Sequence, residues 1–306
     1  MKLHKWKDID FRGRIERVEY EAPDYQGKTW TKYANVYLPY GYDEKKPYNI
    51  LYLIHGGGGN ADAWLDCSQI KNVFDQAFAE GLCDPFIAVF PCFYSWIPSQ
   101  HRTRGIDAEA ENKQVRNFQK ELEECVIPAV ERRFHTFAEL NAEGGGHTLA
   151  NDAQHERETL KGTLQRSRRH RAIGGFSMGG CTTWWAFTEH LDIFGTFLPL
   201  SGDCWAVAPK GGADYSKETA QLLADTVKKY GFDKDDFKLL IATGDKDIAV
   251  HNLTPQVEAM KQLTDVFDYR DEVGRGNMNY VIKEDAVHAY EEVYHHVWNY
   301  LPEIFD

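Results

Sequence analysis

Arg171-Ala172-Ile173-Gly174-Gly175-Phe176-Ser177-Met178-Gly179-Gly180-Cys181 is the stretch on which the reading of this chain turns. It opens as an apolar strand-like run, passes a serine with paired glycines on each side, and continues from Thr182 as a predicted helix. A strand that turns into a helix through a G-x-S-x-G pentapeptide, here Gly175 to Gly179, leaves no room for side chains beside the serine. The turn lifts the hydroxyl to the end of a sheet, beside helix N-terminal amides that favour negative charge. Ser177 is therefore the candidate nucleophile. The pentapeptide alone is a weak signal, and a glycine-rich turn with an idle serine is the bland alternative; strand, turn and helix together carry the argument.

Outward from that turn the chain alternates. Residues 48–54 and 86–90 are nearly continuous apolar runs, as strands buried on both faces require. Residues 171–176, 196–200, 237–243 and 278–283 read as further strands, and 178–189, 216–230, 255–263 and 290–300 as helices. Ile70, Val73, Phe74 and Ala77 fall at helical spacing, as do Val115, Phe118, Leu122, Val126, Ala129 and Val130. At the start, 15–22 and 30–38 alternate as an antiparallel hairpin around a turn at 23–28. The expectation is an α/β fold, a mostly parallel, doubly wound central sheet with an N-terminal antiparallel hairpin. No Pro/Gly/Ser linker divides the chain, so a single domain over 1–306 is expected. It carries an irregular insertion at about 139–170, with Gly144, Gly145 and Gly146 and the basic run Arg166, Arg168, Arg169, His170 and Arg171. That insertion reads as a solvated excursion, with a flap beside the site as the functional alternative.

Composition narrows the function classes. A net charge of −12 argues against a general nucleic-acid binder, which needs a basic face to displace counterions. No stretch approaches the ~20 apolar residues of a membrane span. Residues 1–10 are polar rather than the apolar core of a signal peptide, so the chain is expected to be cytoplasmic, or secreted with its leader removed. The six cysteines stand singly, without the short spacings that hold zinc, and read as small buried hydrophobes.

A serine hydroxyl needs a base, and the base needs a carboxylate to orient it. In this architecture the order along the chain is serine, acid, histidine. The acids at downstream strand ends are Asp203, Asp245 and Asp247; Asp247, farther round its loop, leads, and Asp245 suits a turn cap. Among twelve histidines, His288 lies just past the last strand and before the final helix, where a loop can return it to the serine. His251, His295 and His296 are better read as surface or core residues. An oxyanion needs two backbone N–H donors, one from Met178 after the serine and one from the run His55-Gly56-Gly57-Gly58-Gly59, with Gly57 first and Gly58 next. That run lacks the G-K-[ST] ending of a phosphate loop.

Several blocks together resemble the feruloyl esterases of carbohydrate esterase family one, particularly those found as modules of bacterial xylanases. They are HGGGG from His55, GGFSMGG from Gly174, PLSGDCW from Pro199, ATGDKDIA from Ala242 with TPQVEAMKQL after it, and GNMNYVIKEDAVHAY from Gly276. The resemblance implies an α/β-hydrolase fold, no cofactor, and hydrolysis of the ester joining a hydroxycinnamate to arabinose on xylan. It carries the family's triad onto Ser177, Asp247 and His288, and makes feruloylated arabinoxylan or its oligosaccharides the expected partner. Two features depart from the family pattern: the length of 139–170, and Ala289 with Tyr290 where aromatic neighbours of the histidine are expected. A phenolic acid needs a flat apolar slot, for which Trp205 and Ile248 are candidate walls, and Trp96 a candidate sugar-facing surface. The rivals are an acetyl xylan or other small-acyl esterase of the same fold, and a non-catalytic carbohydrate-binding protein.

Overall fold

The computed structural model describes residues 9–24, 27–95, 107–140 and 153–306. A run such as Ile50-Leu51-Tyr52-Leu53-Ile54 has no polar side, and an extended chain points successive side chains to opposite faces, so it is stable only where both faces are covered. β3 lies within one sheet of eight strands: β1 (Arg14–Pro23), β2 (Thr29–Leu38), β3 (Ile50–Ile54), β4 (Ile87–Phe90), β5 (Arg171–Phe176), β6 (Thr196–Leu200), β7 (Lys238–Gly244) and β8 (Met278–Lys283). Their order is β1-β2-β4-β3-β5-β6-β7-β8. The β1–β2 and β2–β4 pairs are antiparallel and the rest parallel, which is the expected hairpin feeding a parallel sheet.

The helices are α1 (Ala63–Cys67), α2 (Ile70–Ala79), α3 (Ala108–Glu121), α4 (Ile127–Glu131), α5 (Ala153–Arg166), α6 (Met178–His190), α7 (Ser216–Lys229), α8 (Val250–Met260) and α9 (Tyr290–Tyr300). They form two layers. Ile50, Tyr52 and Ile54 of β3 share one buried cluster with Val115 and Phe118 of α3, Trp184 of α6, Leu223 of α7 and Leu253 of α8. Leu51 and Leu53 of the same strand share the other with Trp64 of α1, Phe74 of α2 and Val297 of α9. Each such side chain contributes roughly 1.5–3 kcal/mol on burial.

Four expectations are corrected. The segment 139–170 is not irregular throughout: α5 occupies Ala153–Arg166 and a short 3-10 turn follows at Arg168–His170. Its basic run is not all solvated, because Arg168 and Arg171 are buried, Arg168 donating to the carbonyls of Leu191, Phe194 and Asp236. The helix expected over 255–263 starts at Val250 and runs through Pro255, whose missing N–H leaves the carbonyl of exposed His251 without its helical donor. Of the cysteines, Cys92, Cys181 and Cys204 are buried, whereas Cys67 is exposed. The long helix past Val115 also widens into a π turn at Leu122–Val126, just before Pro128 of α4.

Arg171, the first residue of β5, holds that strand to its surroundings. Its guanidinium grips Glu131 with two bonds, Nε to Oε1 at 2.7 Å and Nη2 to Oε2 at 2.9 Å, and Nη1 donates to the carbonyls of Leu164 and Ile193. Tyr52 and Thr136 hydroxyls complete the carboxylate's partners. Both charges are out of water, at 1% and 0% side-chain exposure, so removing one strands the other. Glu131→Ala is expected to cost about 3–5 kcal/mol, measured from the midpoint and slope of urea unfolding. A loss below about 1 kcal/mol would contradict this account.

Candidate active site

The residues singled out from the sequence come together at the carboxyl ends of the parallel strands, where open α/β sheets place their ligands. Ser177 follows β5, Asp247 follows β7, His288 follows β8 and Gly57 follows β3.

Ser177 stands at φ 57°, ψ −116°, a backbone conformation that costs a residue with a side chain on the order of 1–3 kcal/mol. Its N–H donates to the Leu200 carbonyl at 2.9 Å, and its carbonyl accepts from Cys181 N–H at 3.0 Å. The bend is possible because α6 begins in backbone contact with the end of β3. A Cβ on Gly179 would lie 2.3 Å from the Ile54 carbonyl oxygen, and one on Gly175 would lie 2.5 Å from the Gly179 carbonyl. Glycine at these two positions is a steric requirement.

His288 Nε2 is 2.8 Å from Ser177 Oγ, and His288 Nδ1 is 2.7 Å from Asp247 Oδ1. Asp247 is 2% exposed, and the same oxygen accepts from Ala249 N–H at 2.7 Å. The acid and histidine loops are stitched by backbone bonds, Asp245 N–H to Lys283 and Lys246 N–H to Ala286. The rival acids stand elsewhere: Asp245 is exposed, while Asp203 is buried and accepts from Trp205 Nε1 and Gly212 N–H. Burial pushes the Asp203 carboxyl up, against the pull of those donors. The rival histidines are also accounted for. His251 is exposed, while His295 and His296 are buried in α9, where burial lowers His296 to about 3.

In the glycine run, Gly56 N–H donates to Tyr290 Oη at 2.8 Å, Gly58 N–H to Tyr94 Oη at 2.8 Å, and Gly59 N–H to the Gly56 carbonyl at 3.1 Å. Gly58 is thus corrected as an oxyanion donor, because its N–H is already engaged. Gly57 alone of the four keeps an N–H without a partner among the described residues, and it is exposed. It also adjoins Met178, since a Cβ built on Gly57 would meet Met178 Cγ at 3.2 Å. The Met178 N–H, at the first residue of α6, lies in the turn where a helix supplies no carbonyl. His55 beneath the run bonds the Gly56 carbonyl through Nδ1 and stacks on Phe93; burial lowers it to about 4.

Of the substrate-side residues, Ile248 is 72% exposed beside Asp247. Trp205, the candidate wall of the apolar slot, is 5% exposed within the buried cluster, with its ring nitrogen on Asp203. Trp96 lies outside the described residues. Sequence reasoning missed three aromatic groups. Phe176 packs its ring 4.6 Å from that of His288, and Tyr290 and Tyr94 hold the glycine run. Tyr290 Oη reaches a glycine 234 positions away, a pairing with no local signal. It also answers the apparent departure at Ala289 and Tyr290: the aromatic neighbour of the histidine comes from β5. Among the described residues no helix is long and apolar enough to cross a membrane.

The Esterase family model matches residues 29–149. Endo-1,4-beta-xylanase Y of Acetivibrio thermocellus is 35% identical over 282 residues, covering 92% of this chain and 22% of that protein. An endo-1,4-beta-xylanase/feruloyl esterase of Xylanibacter ruminicola is 28% identical over 64% of this chain and 22% of its own length, so the chain spans about a fifth of these curated relatives. The solved feruloyl esterase module from Clostridium thermocellum, complexed with sinapinate, superposes with a TM-score of 0.77 at 33% identity, over 98% of this chain and 90% of that one. This chain belongs to the feruloyl esterases of carbohydrate esterase family one, carboxylic ester hydrolases of the α/β-hydrolase fold.

Proposed function

We propose that the protein hydrolyses hydroxycinnamoyl esters of plant polysaccharide, feruloylated arabinoxylan or its oligosaccharides, through an acyl-enzyme on Ser177. The observation that carries this reading is the unbroken chain Ser177 Oγ, His288 Nε2, His288 Nδ1, Asp247 Oδ1, with links of 2.8 and 2.7 Å, on a strained turn where Ser177 is half-buried.

His288 Nε2 takes the hydroxyl proton as Ser177 Oγ bonds to the ester carbonyl carbon, and the carbonyl oxygen becomes an oxyanion facing the Gly57 and Met178 N–H groups. Asp247 fixes the tautomer that leaves Nε2 free to accept and stabilises the imidazolium. The ester C–O bond then breaks, and His288 returns its proton to the departing sugar oxygen. Water repeats the sequence on the acyl-enzyme and frees the acid. The preference for a phenolic acyl group is supported by the family and by Ile248, an exposed apolar side chain next to Asp247 that can pack against a planar ring.

Initial rates on methyl ferulate, methyl sinapate and 4-nitrophenyl acetate test the reaction and its acyl preference together. Wild type is expected to release ferulate and Ser177→Ala none; a strong preference for the acetate would replace the feruloyl reading by a small-acyl one. Asp247→Asn is expected to lower kcat by about 10⁴ through the wrong tautomer, with KM little changed. Ile248→Ala is expected to raise KM for methyl ferulate by roughly fivefold, the equivalent of about 1 kcal/mol of apolar contact, and to leave KM for 4-nitrophenyl acetate within twofold. Equal effects on both substrates would remove Ile248 from the acyl site.

A further inference from the structure

A run of four glycines can turn its amides in many directions, yet an oxyanion site needs one N–H held open and aimed. The run after β3 meets that demand through its neighbours. Gly56 N–H on one side is fixed by Tyr290 Oη, and Gly58 N–H on the other by Tyr94 Oη, both at 2.8 Å. Tyr94 Oη in turn donates to Glu111 Oε1 at 3.1 Å. A backbone N–H only donates, so the Tyr94 oxygen accepts from Gly58 and its own hydroxyl proton is left to donate to Glu111. Glu111 also abuts the donor itself, because a Cβ on Gly57 would lie 2.8 Å from its Oε1.

Resting on the esterase reading above, we propose that Tyr94, anchored by Glu111, is a positioning residue of the oxyanion site: by engaging Gly58 N–H it leaves Gly57 N–H as the one donor of the glycine run without a partner among the described residues. Neither side chain takes part in bond making. Their effect falls on the tetrahedral state, where the negative charge on oxygen has to find its donor in place, and hardly at all on ground-state binding. The arrangement ties together three parts of the chain, the loop after β4, the first turn of α3 and the loop after β3, that share no sequence motif.

The test compares wild type with Tyr94→Phe, Glu111→Ala and Glu111→Gln, reading kcat and KM on methyl ferulate and the dissociation constant of phenylboronic acid, whose tetrahedral serine adduct uses the same donors. Tyr94→Phe and Glu111→Ala are expected to lower kcat by about 10- to 100-fold, with KM within about threefold, and to weaken the boronate in proportion. Glu111→Gln, whose side-chain carbonyl still accepts from Tyr94, is expected to recover most of what Glu111→Ala loses. Far-ultraviolet circular dichroism and urea midpoints identify any variant that has lost its fold, and Tyr94→Phe, which removes one oxygen from a buried ring, is the arm that decides if Glu111→Ala has. A kcat for Tyr94→Phe within twofold of wild type, or a boronate affinity unmoved while kcat falls, overturns the inference. So does Glu111→Gln falling as far as Glu111→Ala, which would assign the effect to charge. Failure of the esterase reading shows differently, as a wild type that turns over no ester, and the boronate titration then still compares Tyr94→Phe with wild type.

Discussion

The close approach of α6 to the end of β3 is the constraint from which the site follows. With Gly179 seated against the Ile54 carbonyl, the chain between β5 and α6 has no slack, and Ser177 is forced to a positive φ. That strain is offset by the Ser177 N–H bond to Leu200 and by the helix bond that its carbonyl receives. It persists because β5 lies between β3 and β6 in the middle of the sheet, paired along both edges. A serine on an edge strand would have only one such wall.

The two buried aspartates near the site illustrate how partners, rather than burial, divide roles. Asp203 is 4% exposed and Asp247 2%. The carboxylate of Asp203 is occupied by an indole N–H and a backbone N–H, both fixed donors that hold a loop. Asp247 instead meets an imidazole whose far nitrogen touches the serine. Of the two, Asp247 is the one joined through its donor to Ser177.

Much of this was legible in the chain because its signals are local. The strand, glycine bend and helix around Ser177 occupy eleven consecutive residues of the opening motif, and β5, β6, β8 and α9 begin and end where the apolar pattern does. Asp247 and His288 followed from chain order and strand ends. The remainder depends on distant partners or on local conflicts. Pro255 reads as a helix start, yet α8 begins five residues earlier, because Leu253 and Val257 bury the same face regardless of the lost hydrogen bond. α5 is polar enough to pass for loop, and what anchors its end is the Leu164 carbonyl on Arg171, a contact invisible in its own sequence. Gly57 and Gly58 look alike as letters; what distinguishes them is the tyrosine that engages the Gly58 N–H.

Tyr290 opens α9 two positions after His288 and also carries the Gly56 N–H, with its ring against Phe176 and Trp64. The His288 loop and the glycine run therefore share one mechanical mount, although Gly56 and Tyr290 stand 234 positions apart. Any displacement of α9 would shift the His288 loop and the glycine run in the same stroke, so neither is held in register until that helix is packed.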